Sequence, residues 1–178
     1  MKKSITVEAL PTQIARGVVR APDVHPKTGE KYTHEVLFTI RPGWSKTGKY
    51  LKALPGGKID PQDFNEIIGR ENSDDPHFVL TLDQLIQAGL NAVEREIFEE
   101  LGILFSAGFF KFVEQSTNKS GWTTYSYVAD LPRKPSLVVK PDSAGGVWIN
   151  EGKLINGRPQ LLQGHLGITR RALKTLNK

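Results

Sequence analysis

The chain has 178 residues, 38% of them apolar and 24% charged, with 24 Lys and Arg against 19 Asp and Glu and no cysteine. That length suits one domain able to bury roughly 70% of its unfolded surface, and the composition is that of a globule rather than a disordered tail. Disulfides, thiolate metal sites and cysteine nucleophiles are excluded, no apolar run approaches the ~18 residues of a membrane span, and a formal charge of +5 favours anionic ligands.

Met1-Lys2-Lys3 runs directly into Ile5-Thr6-Val7-Glu8 without an apolar stretch, so no signal peptide and a cytoplasmic location are expected. Residues 13–20 and 34–41, rich in β-branched and apolar side chains, predict strands, with turn chemistry between them from Pro22-Asp23 to Gly29. Pro42-Gly43-Trp44 ends the second strand, and residues 50–54 resemble a short third one. The loop Pro55-Gly56-Gly57-Lys58 follows.

Residues 61–80 are polar and acidic, with a clear loop at Asn72-Ser73-Asp74-Asp75-Pro76. They are expected to add little to the core and to act as a lid or substrate-selecting segment. Thr81-Leu82-Asp83-Gln84 has the form of a capping box. It opens a helix whose apolar stripe is Leu82, Leu85, Ile86, Leu90, Val93, Ile97 and Leu101, and Gly102 is the residue expected just past its end. Further strands are expected at 108–114, 122–129 and 146–150, and a last helix at 161–177. Strands on either side of a long helix, with a closing helix, predict a mixed sheet sandwiched between helices. Trp44, Trp122, Tyr125 and Tyr127 are expected to pack on that sheet. The four histidines, His25, His34, His77 and His165, show no paired metal spacing and read as surface or structural groups.

The segment Arg95-Glu96-Ile97-Phe98-Glu99-Glu100-Leu101-Gly102-Ile103 carries the chemistry. At about 100° per residue, Glu96 and Glu100 lie about 40° apart and Glu99 about 60° to the other side, so three carboxylates share one helix face. Like charges four residues apart cost ~0.2–0.5 kcal/mol, and the last turn of a helix disfavours anions by ~0.3–1 kcal/mol. A bound divalent cation would reverse both penalties. A solvated acidic face, with Arg95 paired to Glu99, would account for the segment taken alone.

This segment resembles the second half of the Nudix box, a pattern of Gly, five residues, Glu, seven residues, then Arg-Glu-apolar-any-Glu-Glu-any-Gly-apolar. Residues 54–60 resemble the loop that opens it. The resemblance implies an α/β protein, a Nudix-like α/β/α sandwich of one domain over residues 1–178. It departs from the pattern in one place, since the step from Gly57 to Arg95 is 38 positions instead of 14. Counted back from Arg95, the box Glu falls on Gln87, and the excess of 24 residues reads as an insertion after Asp60, at about 61–80, before the catalytic helix. Asp60, Asp63 or Glu66 is left to supply the missing carboxylate.

The resemblance further implies Mg²⁺ or Mn²⁺ held by Glu96, Glu99, Glu100 and the Gly56 carbonyl, all oxygen donors as hard cations require. Arg95 would orient a catalytic carboxylate, with Glu96 or Glu99 taking a proton. Asp142, or else Glu114, would add a ligand, and Gly57, Lys58 and Arg41 would contact substrate. The activity implied is metal-dependent hydrolysis of a diphosphate linkage in a nucleotide-like small molecule, with an RNA 5′ end and a homodimer among the possible partners and no membrane. The alternative from another class is a non-catalytic domain that senses a nucleotide or RNA, to which Gln87 points. Asn118 stands where many ADP-ribose enzymes of the family carry Pro, and residues 119–121 lack the Tyr of many dinucleoside-polyphosphate enzymes.

Overall fold

The computed structural model of the chain describes residues 5–24, 27–29, 31–46, 48–105, 108–138, 144–157 and 159–177. In chain order they form β1 (Ile5–Thr6), a 3-10 turn (Val7–Thr12), β2 (Gln13–Val24), β3 (Lys31–Ile40) and β4 (Lys52–Ala53). A second 3-10 turn (Pro61–Phe64) leads into α1 (Asn65–Ile68), α2 (Arg70–Ser73), β5 (Val79–Leu80) and the long α3 (Leu82–Leu101). The chain then runs through β6 (Phe110–Thr117), β7 (Thr123–Asp130), β8 (Gly146–Asn150), α4 (Glu151–Asn156) and α5 (His165–Leu176).

The main sheet has the order β4-β3-β2-β7-β6, with β8 also paired to β3. All its pairings are antiparallel except β2 with β7, which makes the sheet mixed. Successive side chains of a strand point to opposite faces, and the apolar residues divide accordingly. Ala15, Val19 and Ala21 of β2, Leu37 of β3 and Tyr125, Tyr127 and Ala129 of β7 meet the buried stripe of α3. Val18, Val36, Phe38 and Val128 point the other way, onto Leu154 of α4 and Ala172 and Leu173 of α5. The expected α/β/α sandwich is therefore present.

The long helix begins and ends where its sequence signals stand. The Thr81 hydroxyl accepts from the Gln84 N–H at 3.2 Å, and the Gln84 side chain accepts from the Thr81 N–H at 2.8 Å, satisfying donors that a helix start otherwise leaves unpaired. Gly102, at φ 69°, closes the helix with its N–H on the Phe98 carbonyl.

Three expectations need correction. The turn at Pro22-Asp23 does not break β2, because both residues pair with β3, at His34 and Thr33, before a bulge between Asp23 and Val24. Trp44 does not pack on the sheet and is 70% exposed, whereas Tyr125 and Tyr127 are buried as expected. The segment 61–80 is also part of the folded body. Phe64 is fully buried in the α3-side core, Leu80 joins it, and Ile67, Ile68 and Phe78 pack against it. Asn91 of α3 donates to the Asp63 carbonyl at 2.8 Å, and β5 pairs with β1 at the chain's start. Polar composition misled because only every few residues of this segment need be apolar to dock short helices on α3.

His165, at the start of α5, is a buried structural group whose Nδ1 accepts the Leu54 N–H at 2.7 Å. Burial, with Arg16 and Arg41 nearby, lowers its pKa to about 3. The folded state then holds His165 neutral while an unfolded chain protonates it near pH 6.5. Its stability contribution is complete above pH 6.5 and is lost as pH falls toward 3, by about 2 kcal/mol between pH 7.5 and pH 5. His165→Asn keeps an acceptor at the δ position without a titratable ring. Denaturant melts at the two pH values should show a stability drop smaller by about that amount in the variant. Equal drops in the two proteins would show that His165 is not the neutral group.

Candidate active site

Three of the four glutamates of α3 meet two loops at the end of the sheet. Glu96, Glu99 and Glu100 line a cleft of about 300 Å³ together with Arg41, Pro42, Trp44 and Ser45 from the segment after β3. The Pro55–Ile59 stretch is held against β2 by three backbone bonds, Ala15 N to Gly57 O, Gly17 N to Pro55 O and Ile59 N to Gln13 O. That contact is close enough to require glycine at position 56, while Gly57 leaves room for the Glu96 carboxylate. A Cβ on Gly56, at φ 127°, would fall 2.3 Å from the Ala15 carbonyl oxygen, and one on Gly57 would fall 2.0 Å from Glu96 Oε1.

Arg95 is the hub. Its Nε donates to Asp63 Oδ1 at 3.0 Å and its Nη2 to Asp63 Oδ2 at 3.2 Å, a two-pronged pair. Nη1 donates to Glu96 at 3.1 Å and to Glu99 at 3.3 Å, while Nη2 also reaches the Lys58 carbonyl and Asp60. Burial works against its charge, but Asp63, Glu96 and Glu99 outweigh that and raise its pKa further. The Asp63 side chain is only 3% exposed, and its Oδ2 also accepts the Asp60 N–H at 2.9 Å.

Of Asp60, Asp63 and Glu66, the three residues left open for the missing box carboxylate, Asp63 is the one that makes the two-pronged pair with Arg95. Counted forward, Gly57 to Asp63 is the six-position step that the box pattern places between its Gly and its first Glu. Counted that way, the excess of 24 residues would follow Asp63 rather than Asp60. The 3-10 turn brings the Asp63 side chain directly against Arg95.

Arg16 of β2 was missed. Its guanidinium donates to the Gly56 carbonyl, and burial lowers its pKa against the opposing pull of Glu100 and Glu96. An arginine two residues before an apolar pair, in a strand that also carries Arg20, was the available signal. The glutamates respond to the same crowding. Burial raises the Glu96 carboxyl, with Glu99 adding to the shift and Arg95 opposing it. Burial, with Glu96 beside it, pushes Glu100 up to about 7, against Arg16, a Thr39 hydrogen bond and Arg41.

The structure thus brings Glu96, Glu99, Glu100 and Arg41 into one cleft, with Arg95 and the Gly56–Gly57 loop in contact with its glutamates. Lys58 is not among the cleft's lining residues. It lines a separate hollow with Glu8 and Leu10. Glu114 accepts from Arg171 of α5 at 2.6 Å. Asp142 lies outside the described residues. The segment 61–80 walls another hollow of about 520 Å³ with Asn91, Glu94 and Phe98, and none of its residues lines the carboxylate cleft.

No protein-family model and no curated protein matches the chain by sequence. Solved structures do resemble it. A MutT/Nudix family protein from Enterococcus faecalis superposes with a TM-score of 0.63 at 19% identity, over 94% of this chain and 62% of its own. This chain therefore spans less than two thirds of that protein's length. RenU, a Nudix hydrolase from M. smegmatis, gives 0.59 at 20% identity over 93% and 85% of the two chains. The NUDIX domain of Shewanella oneidensis NrtR, solved with ADP ribose, gives 0.59 at 18% identity over 92% and 87%. At such identities the likeness speaks for the architecture, and it agrees with the mixed sheet and flanking helices: the chain has the Nudix fold.

Proposed function

We propose that the chain hydrolyses a diphosphate linkage in a nucleotide derivative, using Mg²⁺ or Mn²⁺ at the cleft of Glu96, Glu99 and Glu100. The observation that supports this best is the meeting of those carboxylates with Arg41 in one cleft, beside the Gly56–Gly57 loop and the Arg95–Asp63 clamp. The donor set suits such a cation. Asp60, Asp63, Glu96, Glu99 and Glu100 outnumber Arg16, Arg41 and Arg95 by two, and the donors are all oxygen. Burial, with a neighbouring carboxylate adding to it, already disfavours ionised Glu96 and Glu100, and a bound cation inverts that penalty. Among the described residues no three His, Asp or Glu side chains are already gathered as a metal-ligating group, and Arg95 bonds the carboxylates of both Glu96 and Glu99.

A bound divalent cation supplies charge neutralisation at phosphate and acidifies water. The chain's own residues do the rest. Glu96 or Glu99 takes the proton from the attacking water, and Arg95 fixes that carboxylate through Nη1. Asp63 in turn fixes Arg95, so that hub and base move as one unit. Arg41 faces the phosphate oxygens from the opposite loop.

A second reading is a domain that binds a nucleotide without cleaving it. It is favoured by Arg16 occupying the Gly56 carbonyl, and the NrtR domain with ADP ribose is a precedent for such a ligand on this fold. One experiment separates the two. Phosphate release is followed from nucleoside diphosphate sugars, ADP-ribose, dinucleoside polyphosphates, nucleoside triphosphates and 5′-capped RNA, with Mg²⁺ and then with EDTA. Release from at least one substrate, abolished by EDTA, is expected. Mg²⁺ should also raise the melting temperature, by the equivalent of ~2.7 kcal/mol at a hundred times its dissociation constant, and the triple change of Glu96, Glu99 and Glu100 to Gln should remove that shift. Nucleotide-induced stabilisation without turnover of any substrate would favour the second reading.

A further inference from the structure

We infer that Arg16 is a resident cation of the carboxylate cleft, one that keeps the Gly56 carbonyl from a divalent ion and lowers the glutamates' affinity for it, a role that rests on the metal reading proposed above. Strand alternation puts Arg16 in its place. Ala15 packs in the α3-side core, and a Cβ on Gly17 would fall 2.8 Å from Val93 and 3.6 Å from Ile97 of α3. Arg16, between them, leaves β2 on the opposite face, where Val18 meets the apolar side chains of α4 and α5. Arginine is almost never fully buried unless paired, and burial here lowers the pKa of Arg16.

The backbone decides what it pairs with. The Ala15 N–H bonds to the Gly57 carbonyl at 2.9 Å and the Gly17 N–H to the Pro55 carbonyl at 3.0 Å, so Gly56 lies directly opposite Arg16. A Cβ on Gly56 would fall 3.1 Å from the Arg16 Cα, and the guanidinium donates to the Gly56 carbonyl. Arg20 of the same strand is matched by Asp130 and Glu151, and Arg95 by Asp60, Asp63, Glu96 and Glu99. Arg16 instead bonds to a neutral acceptor. Its charge acts on Glu100 and Glu96, which oppose the effect of its burial, and it opposes the upward shift of both in return. A metal ion on the second lone pair of the Gly56 oxygen would share that atom with a guanidinium, setting two like charges about it.

Mn²⁺ binding without substrate, read by electron paramagnetic resonance, tests this on the parent chain, Arg16→Gln, Arg16→Lys and Arg133→Gln. Arg16→Gln keeps an amide N–H for the Gly56 carbonyl but no charge, and it should bind Mn²⁺ about ten-fold more tightly. Arg16→Lys, still charged, should stay within about three-fold of the parent. So should Arg133→Gln, which removes an exposed charge outside the cleft. Carbon-13 resonances of the parent need no substitution. Saturating Mg²⁺ should move the carboxyl carbons of Glu96, Glu99 and Glu100, while the Gly56 carbonyl carbon keeps its metal-free position. Arg16→Gln binding Mn²⁺ no more tightly than the parent, an equal gain in Arg133→Gln, or a Gly56 carbon that moves as far as the glutamates' overturns the role of Arg16 and leaves the metal site in place. Failure of both the parent and Arg16→Gln to bind Mn²⁺ overturns the metal reading itself, and this role with it.

Discussion

Glu99→Gln is expected to lower kcat by about a hundred-fold or more, the range for loss of a residue acting in proton transfer, while the protein stays folded. Glu99 lies in the last turn of α3, where the helix dipole disfavours an anion by ~0.3–1 kcal/mol. Its bond to Arg95, 3.3 Å long and near the surface, contributes no more than ~0.2–1 kcal/mol. The two effects nearly cancel, so the melting temperature should be unchanged or slightly higher. Steady-state turnover of the best substrate under saturating Mg²⁺ checks the first part and a thermal melt the second. Turnover within a few-fold of the parent would remove Glu99 from the mechanism.

The carboxylate trio was legible because its signal is local. Three glutamates within five positions of one helix must share a face whatever the rest of the chain does. Arg41 and the glycine pair were also within reach, since both flank predicted strands. Asp63 was within reach only as one of three candidates, because its relation to Arg95 crosses 32 positions and spacing alone could not choose among Asp60, Asp63 and Glu66. Arg16 and Thr39 were not, because their place in the site depends on which strands pair and in what register. Trp44 shows a different limit. Its apolar ring predicts burial, and only the turn geometry of residues 42–45 turns it outward.

Phe64→Ala should destabilise the fold by ~3–5 kcal/mol, the usual cost of emptying an aromatic site in a core. For a chain of this size that is roughly 6–20 °C in melting temperature. Phe64 is fully buried among the residues that α3 and the sheet share, and it follows Asp63 directly, so the variant should also loosen the clamp on Arg95. Ile67→Ala, at a half-buried position packed against the same cluster, should cost distinctly less. Chemical denaturation of both variants decides the matter. A loss below ~1 kcal/mol for Phe64→Ala would mean that 61–80 is a surface appendage after all, as its composition first indicated.

Elements with strong periodicity or caps were predicted nearly to the residue, α3 and the strand at 146–150 among them. The short pieces were not. The two-residue strands β1 and β5 exist only through each other, and α4 holds six residues that packing rather than propensity keeps helical. Isolated helices so short are not stable in water, so no reading of their residues alone could have placed them.

The parallel pairing at the middle of the sheet has a kinetic consequence. Gln13 to Arg20 of β2 pair with Thr123 to Asp130 of β7, partners separated by 110 positions. Closing a flexible loop of that length costs about 4 kcal/mol in its length-dependent term alone, and that entropy is lost before any of the pair's own bonds compensate. Chains whose contacts are dominated by such distant partners fold toward the millisecond-to-second end of the scale. On the ribosome the same separation means that one edge of β2 has no native neighbour until residue 130 has been made, so the central strand of the finished sheet spends most of its synthesis as an edge.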